Sequence, residues 1–371
     1  MGELVGPRWE IESRLRLFRC PGCRGPLELN TGLACRACKV DYYDERYGIV
    51  DLTPARLSGT KQKISTFWGD TYQQWYEPDD SVRTADALKR ELALLEDLLR
   101  QRHHLAVEEI NLNALSGREM LEVGCGAGGH SALFLQYGAR VTAMDITPER
   151  ARSTNHKFSL MRNGTFAGGL AIRADAEALP FADNAFDLVY SNGVLHHTED
   201  TAACVRECFR VLKPGGEASI MLYAKHSAYY WCRLVPKGVL TGLLFRLPEA
   251  RWLGRITEGR PQYRQEENPI TRVFSKRQLM AMFGQFDLVS LRRNSFSISH
   301  LPIPGVAQWR ESLLRALDYK MHEGGRLVYG QPIIPETKLE VWLGGVMGWG
   351  WNIRARKPQP SGNWADLQSP E

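Results

Sequence analysis

Leu121-Glu122-Val123-Gly124-Cys125-Gly126-Ala127-Gly128-Gly129 is the stretch on which the reading of this chain turns. An apolar run, Met120 to Val123, leads into a loop with four glycines. A helical pattern follows through His130, Leu133, Phe134 and Tyr137. Glycine suits such a loop because a Cβ would hold a bound group away from the backbone, and because tight turns often demand positive φ. Taken alone the signal is ambiguous. Gly124, Gly126 and Gly129 spell G-x-G-x-x-G, and Asp145 follows at the distance of a ribose-binding carboxylate in a dinucleotide fold.

The downstream pattern alternates strand and helix. A second strand, Arg140 to Met144, delivers Asp145 at its carboxyl end, where ligands of open α/β sheets bind. Asp145 could instead cap the helix that begins at Thr147-Pro148-Glu149, although Thr147 can serve as that cap. A third strand, Leu170 to Arg173, precedes Asp175, and a fourth, Phe186 to Tyr190, runs into Ser191-Asn192-Gly193-Val194-Leu195-His196-His197. A helix from Glu199 to Leu212 is predicted to stop at Lys213-Pro214-Gly215-Gly216, before a fifth strand, Glu217 to Tyr223. This alternation predicts a parallel sheet covered on both faces.

Two residues before the first glycine stands Glu122, and with the compact Gly-Cys-Gly-Ala-Gly it resembles motif I of class I S-adenosylmethionine (SAM)-dependent methyltransferases. Leu179-Pro180-Phe181, Phe186-Asp187, Val194-Leu195-His196-His197 and Arg210-Val211-Leu212-Lys213-Pro214-Gly215-Gly216 together resemble the type-11 family of that class, which includes ubiquinone- and menaquinone-pathway enzymes. The resemblance covers about Leu121 to Tyr223 and favours SAM over a dinucleotide. It implies a Rossmann-like, mainly parallel seven-stranded sheet. It also implies cofactor contacts from Glu122, Gly124, Gly126, Gly128, Asp145, Ile146, Asp175, Ala176, Ser191 and Asn192. Glu122 would fix the amino group of the methionine portion, Asp145 both ribose hydroxyls, and Asp175 the adenine amino group. Methyl transfer needs a base only if the acceptor must lose a proton. His196 and His197 stand near the expected methyl position and are the candidates, with a purely structural role equally open; Tyr223 and His226 are weaker ones.

Nearer the N-terminus, Cys20-Pro-Gly-Cys23 is followed by Cys35-Arg-Ala-Cys38. Two such knuckles can set four thiolates tetrahedrally around one structural Zn2+ ion, with no open position for catalysis. So small a segment has almost no apolar core, and the metal would supply its folding energy. Cys20 to Pro54 resembles the zinc ribbons fused to some bacterial methyltransferases, and the small activator subunit of certain RNA and protein methyltransferases.

The 371 residues suffice for a main domain and an accessory one. The boundaries read as an N-terminal extension (1–19), a zinc ribbon (20–56), a linker with pre-core helices (57–118), the methyltransferase domain (119–356) and a disordered tail (357–371). No apolar run is long enough to span a bilayer, and Met1 to Arg19 lacks a signal-peptide apolar region, which points to a cytoplasmic protein. Phe67-Trp68, Tyr72 and Trp75-Tyr76 suggest a helix that either closes over the cofactor or packs on the sheet edge. Ala85 to Ile110 carries Leu88, Leu92, Leu95, Leu98 and Leu99 on one helical face.

Two insertions, near 224–270 and 297–345, leave the sheet where an acceptor must sit. They read as substrate lids or as an extra structural layer. Between Lys225 and Arg326 there are 17 Lys/Arg against 8 Asp/Glu, a balance of +9, although the whole chain carries +5. Aromatics interleave with these cations at Tyr229, Tyr230, Trp231, Phe245, Trp252 and Trp309. The mix suits a small-molecule or amphipathic, anionic acceptor, or peripheral contact with an anionic membrane. O- or C-methylation of a small or lipid-linked biosynthetic acceptor is the favoured reading. The alternative is an RNA base methyltransferase that grips nucleic acid with its ribbon. Against it stand the nearly balanced charge of the ribbon and the absence of an Asn-Pro-Pro-Tyr/Phe motif after the fourth strand.

Overall fold

The computed structural model of the protein describes residues 8–30, 32–77, 82–162, 168–258 and 267–359. The far N-terminus and most of the stretch read as a disordered tail lie outside them. After helix α1 (Arg8–Arg14) come five short strands: β1 (Glu28–Leu29), β2 (Leu33–Cys35), β3 (Val40–Asp41), β4 (Tyr43–Asp44) and β5 (Ile49–Val50). They form two small antiparallel sheets around the cysteine knuckles. This ribbon does not keep a core to itself. Its Leu27, Leu33 and Val50 join one cluster with Phe181, Ile172 and Ala174 of the main domain. The chain then passes through α2 (Gly59–Thr71), α3 (Ala85–Gln101) and α4 (Leu105–Glu108). On α3 the five leucines of the expected face are buried, and Thr84 caps the helix by accepting from Ala87 N–H.

The main sheet follows: β6 (Glu119–Val123), α5 (Gly129–Gln136), β7 (Arg140–Asp145), α6 (Pro148–Met161), β8 (Gly169–Arg173), β9 (Phe186–Asn192), α7 (Thr201–Val211) and β10 (Leu212–Tyr223). After the first insertion, with α8 (Val235–Leu240), α9 (Leu243–Arg246) and α10 (Glu249–Thr257), come α11 (Lys276–Met282) and β11 (Asp287–Asn294). The second insertion carries α12 (Val306–Ala316), α13 (Arg326–Tyr329) and α14 (Lys338–Met347), and β12 (Gly350–Arg356) closes the sheet. Strand order is β11-β12-β10-β9-β6-β7-β8. The four pairings among β6 to β10 are parallel, whereas β12 runs antiparallel to both neighbours. This is the Rossmann-like class I methyltransferase fold. Central β6 is buried along its whole length, which a run of apolar residues with two partnered acids permits.

Helix α7 stops at Val211, just before Lys213-Pro214-Gly215-Gly216, as expected. The strand begins earlier than Glu217: Leu212 already pairs with Phe186, and residues 213–216 form an irregularity inside β10, eased by Gly215 at φ +77°. Cross-strand pairing of a fully buried leucine draws them into the sheet. Thr147 does not cap α6 with its side chain; it donates to Asp145 instead.

Candidate functional site

The carboxyl ends of β6 to β9 converge on one cleft. Past Val123 the backbone turns through Gly124, Gly126 and Gly128, each at positive φ. A Cβ on Gly124 would collide with Val194, and one on Gly128 would lie 2.7 Å from Thr154 Oγ1. The first glycine therefore admits the loop after β9, and the third admits α6. Gly124 and Cys125 N–H both donate to Met144 O (2.8 and 2.9 Å), and Gly126 N–H donates to Asp145 Oδ2 (3.1 Å). The glycine loop is thus tied to the end of β7.

Two adjoining cavities of about 370 and 80 Å³ share Trp68, Gly124, Arg150, Gly193 and Val194 as walls. Glu122, Gly126 and Asn192 line the larger; Asp145, Ile146, Asp175, Ala176 and His197 line the smaller. Gly124 belongs to both. Three residues of the expected site, Gly128, Ser191 and His196, line neither cavity. Gly128 serves helix packing, as above. Ser191 Oγ–H is spent on Val123 O at 2.9 Å, holding β9 to β6.

Glu122 is buried, and Ser131 Oγ–H donates to it. Burial outweighs that hydrogen bond and, with the nearby charge of Asp145, pushes the Glu122 carboxyl up to about 8. Its neighbour His130, 4.0 Å away, is pushed down to about 4 by burial. Burial thus shifts both groups on the floor of the larger cavity toward their uncharged forms. Asp145 Oδ1 accepts from Thr147 N–H and Oγ1–H (3.0 and 2.9 Å) while Oδ2 faces the glycine loop. The carboxylate so held retains accepting capacity for ligand hydroxyls.

Lys61 and Arg150 are wall residues the sequence reading did not single out. Helix α2, which the aromatics had marked, lays Trp68 against both cavities and lets Ser65 Oγ–H donate to Ile146 O (3.0 Å). Lys61, one turn earlier, pairs with Asp175 and Glu177. The side chains of Trp75 and Tyr76 lie outside the described residues.

The histidines separate. His196 is fully buried and stacks on Tyr223 at 3.6 Å between ring centroids; neither of its ring nitrogens has a hydrogen-bond partner among the described residues. His197 packs by Trp68, with Nδ1 3.0 Å from Ile270 O and Nε2 3.8 Å from Glu258 Oε1. Burial lowers both pKa values. Glu258, at the end of α10, lines the larger cavity and accepts from Tyr223 Oη–H at 2.8 Å. Tyr223 and Glu258, which line the larger cavity, thus form a small polar cluster with His197, which lines the smaller, and no local motif announced Glu258. The roof comes from the second insertion: Leu327, Val328 and Val341 line the larger cavity, and Arg102 ties α3 to Glu336 (2.5 Å) and Tyr329 (2.6 Å).

The sulfurs of Cys20, Cys23, Cys35 and Cys38 lie within 4.8 Å of one another, the one such metal-ligating group among the described residues. Cys20 and Cys38 are 3.7 Å apart and Cys23 and Cys35 3.6 Å. Tetrahedral Zn–S bonds of about 2.3 Å require sulfurs about 3.8 Å apart, so the donor set fits that ion.

Residues 121–220 match the family described as "Methyltransferase domain". This stretch is a methyltransferase domain. It begins within the glycine-loop strand β6 and ends within β10, so the glycine loop and the ends of β6 to β9 lie inside it. The chain is 28% identical over 221 residues to cycloartenol-C-24-methyltransferase 1 of rice, covering 56% of this chain and 59% of that one. It is 32% identical over 163 residues to the chloroplastic tocopherol O-methyltransferase of Arabidopsis thaliana, covering 42% and 44%. The chain thus spans less than two thirds of the length of either relative. Among solved structures, a phosphoethanolamine N-methyltransferase of Haemonchus contortus is similar at 18% identity and a TM-score of 0.45, over 82% of this chain and 61% of that one. Outside the methyltransferase domain the ribbon and both insertions lie beyond the family match.

Proposed function

We propose that the protein is a SAM-dependent methyltransferase that methylates oxygen or carbon of a small or lipid-linked biosynthetic acceptor. One observation carries the reading. Glu122, Asp145 and Asp175, from three strand ends, meet around a glycine loop in a two-part cleft. The smaller cavity suits the adenine and ribose, with Asp145 for the hydroxyls and Asp175 for the amino group. Glu122 in the larger suits the ammonium of the methionine portion. SAM supplies an already activated methyl group, so the work left to the chain is alignment and exclusion of water. Trp68 and the roof of the second insertion exclude water. Where the acceptor must lose a proton, Glu258 and His197 are the candidates to take it, with Tyr223 Oη–H held by Glu258. The names of the sterol and tocopherol relatives support an apolar, ring-bearing acceptor, and they do not favour the RNA base alternative.

Zn2+ at Cys20, Cys23, Cys35 and Cys38 completes the reading as a structural ion. Among the described residues no helix is long and apolar enough to cross a membrane.

The test is calorimetric binding of SAM to the wild type and to Asp145→Ala, followed by transfer from methyl-labelled SAM into a lipid extract and into RNA. SAM binding that weakens at least tenfold in the variant, with label in the lipid fraction, supports the reading. Tight NADH binding, or label in RNA alone, overturns it.

A further inference from the structure

The first insertion turns an apolar tip outward. Helices α8 and α9 meet at Gly242, whose φ of +68° lets the chain double back. Leu240 on one side of that turn is 87% exposed and Phe245 on the other is 74% exposed, with Val239 beside them at 45%. The inner side of the same hairpin is well anchored. Leu234, Trp252, Leu253 and Tyr230 form a buried cluster, and Gly238 sits so close to the Trp252 ring that a Cβ there would lie 3.2 Å from it. The tip is therefore a fixed apolar projection.

Its charge is one-sided. Between His226 and Thr257 stand Arg233, Lys237, Arg246, Arg251 and Arg255, and the single acid is Glu249. Glu249 is taken by Lys225 and by Tyr230 Oη–H, and Arg255 pairs with Glu267. Arg233, Lys237, Arg246 and Arg251 are exposed. Lys237 and Arg246 flank the apolar tip in sequence. Of the aromatics in this segment, Trp252 and Tyr230 are core, while Trp231 is 51% exposed.

The base of the hairpin reaches the rim of the cleft through Trp231. The Trp231 ring stacks on His226, whose carbonyl accepts from Arg293 Nη1–H (3.2 Å); the same nitrogen donates to Val346 O (2.8 Å). Arg293 lines the larger cavity. Beyond it α14 exposes Leu339, Trp342 and Val346, spaced three and four residues apart and hence on one helix face. Two apolar surfaces thus meet at Arg293, beside the cavity mouth.

From this arrangement we propose that the α8–α9 hairpin docks the protein on an anionic membrane surface. Leu240 and Phe245 enter the headgroup–acyl boundary, and Arg233, Lys237, Arg246 and Arg251 meet lipid phosphates. Apolar groups flanked by cations, on an otherwise soluble fold, bind this way, and the charge part weakens with salt. A second copy of the chain would bring a like-charged hairpin against this one, which charge complementarity disfavours. Docking places the cleft mouth at the bilayer, from which a lipid-linked acceptor could enter; that link rests on the acceptor reading above, whereas docking itself is measured without it.

The experiment is co-sedimentation of the full chain with phosphatidylcholine vesicles and with vesicles containing a quarter phosphatidylglycerol, from 50 to 300 mM salt (about 14 to 6 Å of screening length). Partition into the anionic vesicles should exceed that into neutral ones at least tenfold at low salt and fall as salt rises. Leu240→Glu with Phe245→Glu should lower it at least tenfold, and Lys237→Glu with Arg246→Glu several-fold. SAM affinity, read separately by calorimetry, should hold in both variants, which shows that they fold. A SAM affinity absent from the wild type itself would sink the methyltransferase reading and leave docking standing. Wild-type protein that stays in the supernatant with anionic vesicles overturns the proposal. So does partition unaltered by both double variants. A dimer in sedimentation velocity that Leu240→Glu with Phe245→Glu dissolves would assign the tip to a second copy and overturn it as well.

Discussion

Lys61 Nζ lies 2.6 Å from Asp175 Oδ2, a hydrogen-bonded ion pair between residues 114 positions apart. Glu177 Oε2 is 3.0 Å from the same nitrogen. The pair bolts α2 over the cavity assigned to adenine. Burial by itself would lower the Lys61 pKa, but the bond to Asp175 and the charges of Asp175 and Glu177 raise it above the usual lysine value. A lysine raised in the folded state stabilises fully below its unfolded pKa and loses that contribution only as pH climbs through the folded one. Its contribution is therefore constant across neutral pH. Lys61→Met should cost about 3 kcal/mol, the order seen when one partner of a buried pair is removed. Urea unfolding at pH 7 measures it, and an unchanged midpoint would show that the pair contributes nothing. The variant should also bind SAM more weakly, because the helix is freed from the adenine side.

Glu122 gives the protein a pH signature. Its carboxyl is held near 8 chiefly by burial. A carboxyl raised in the folded state makes folding less favourable as pH rises from its unfolded value to its folded one, because the folded chain keeps a proton there that the unfolded chain has released. If the ammonium of SAM pairs with ionised Glu122, binding must expel that proton. SAM affinity should then rise between pH 6 and pH 8 and level off above, by up to about tenfold per unit. Calorimetry in buffers of different ionisation enthalpy should register close to one proton released at pH 7. Glu122→Gln should flatten the profile; a wild-type profile already flat would remove Glu122 from the cofactor contact.

The two adjacent histidines should part company. His196 stacks on Tyr223 outside both cavities, so His196→Phe keeps a flat ring in place and removes two nitrogens that have no partner among the described residues. Its effect on stability should stay within about 1.5 kcal/mol, as for volume-conserving core exchanges, and turnover should persist. His197→Phe loses the contact to Ile270 O and the neighbour of Glu258, and should reduce turnover more than SAM affinity. Turnover abolished by His196→Phe with SAM affinity intact would reverse these roles.

The ribbon should hold one zinc per chain. The sequence alone suggests that chelation would unfold the ribbon and leave the core standing. Leu33, Cys35 and Phe181 share one apolar cluster, and Arg173 links Asp51 of the ribbon (2.9 Å) to Ile146 O of the cleft (3.0 Å). Chelation is therefore expected to lower the melting temperature of the whole domain and to weaken SAM binding several-fold. Elemental analysis checks the metal and calorimetry the coupling. Full SAM affinity in metal-free protein would show the two sites to be independent.

What the sequence reveals here is local. The strands β6 to β9, the glycine turn and the carboxylates at strand ends follow from runs of a few residues and are found where expected. Arg102 and Glu336, Lys61 and Asp175, Tyr223 and Glu258 meet only because the sheet and the insertions bring distant segments together, and no periodicity encodes such a meeting. Asp145 shows an intermediate case. Its place at the end of β7 is legible, but its second duty, accepting from Thr147 and from the glycine loop, emerges from the three-dimensional turn. Phe245 and Trp252 read alike as aromatics in a basic segment, yet one faces solvent and the other the core. Helix phase within the insertion decides that.

Strand β8 is the outermost of its side of the sheet, and at its last residue the ribbon forms a parallel bridge, Asp51 to Arg173, with Leu52 N–H donating to Arg173 O at 2.8 Å. The ribbon thus acts as a selvage, the finished border that keeps a woven cloth from unravelling. An edge strand left bare offers its backbone groups to the same strand of another molecule. A shortened protein that starts after residue 57 would present that raw border to solvent and should self-associate at concentrations where the full chain stays dispersed.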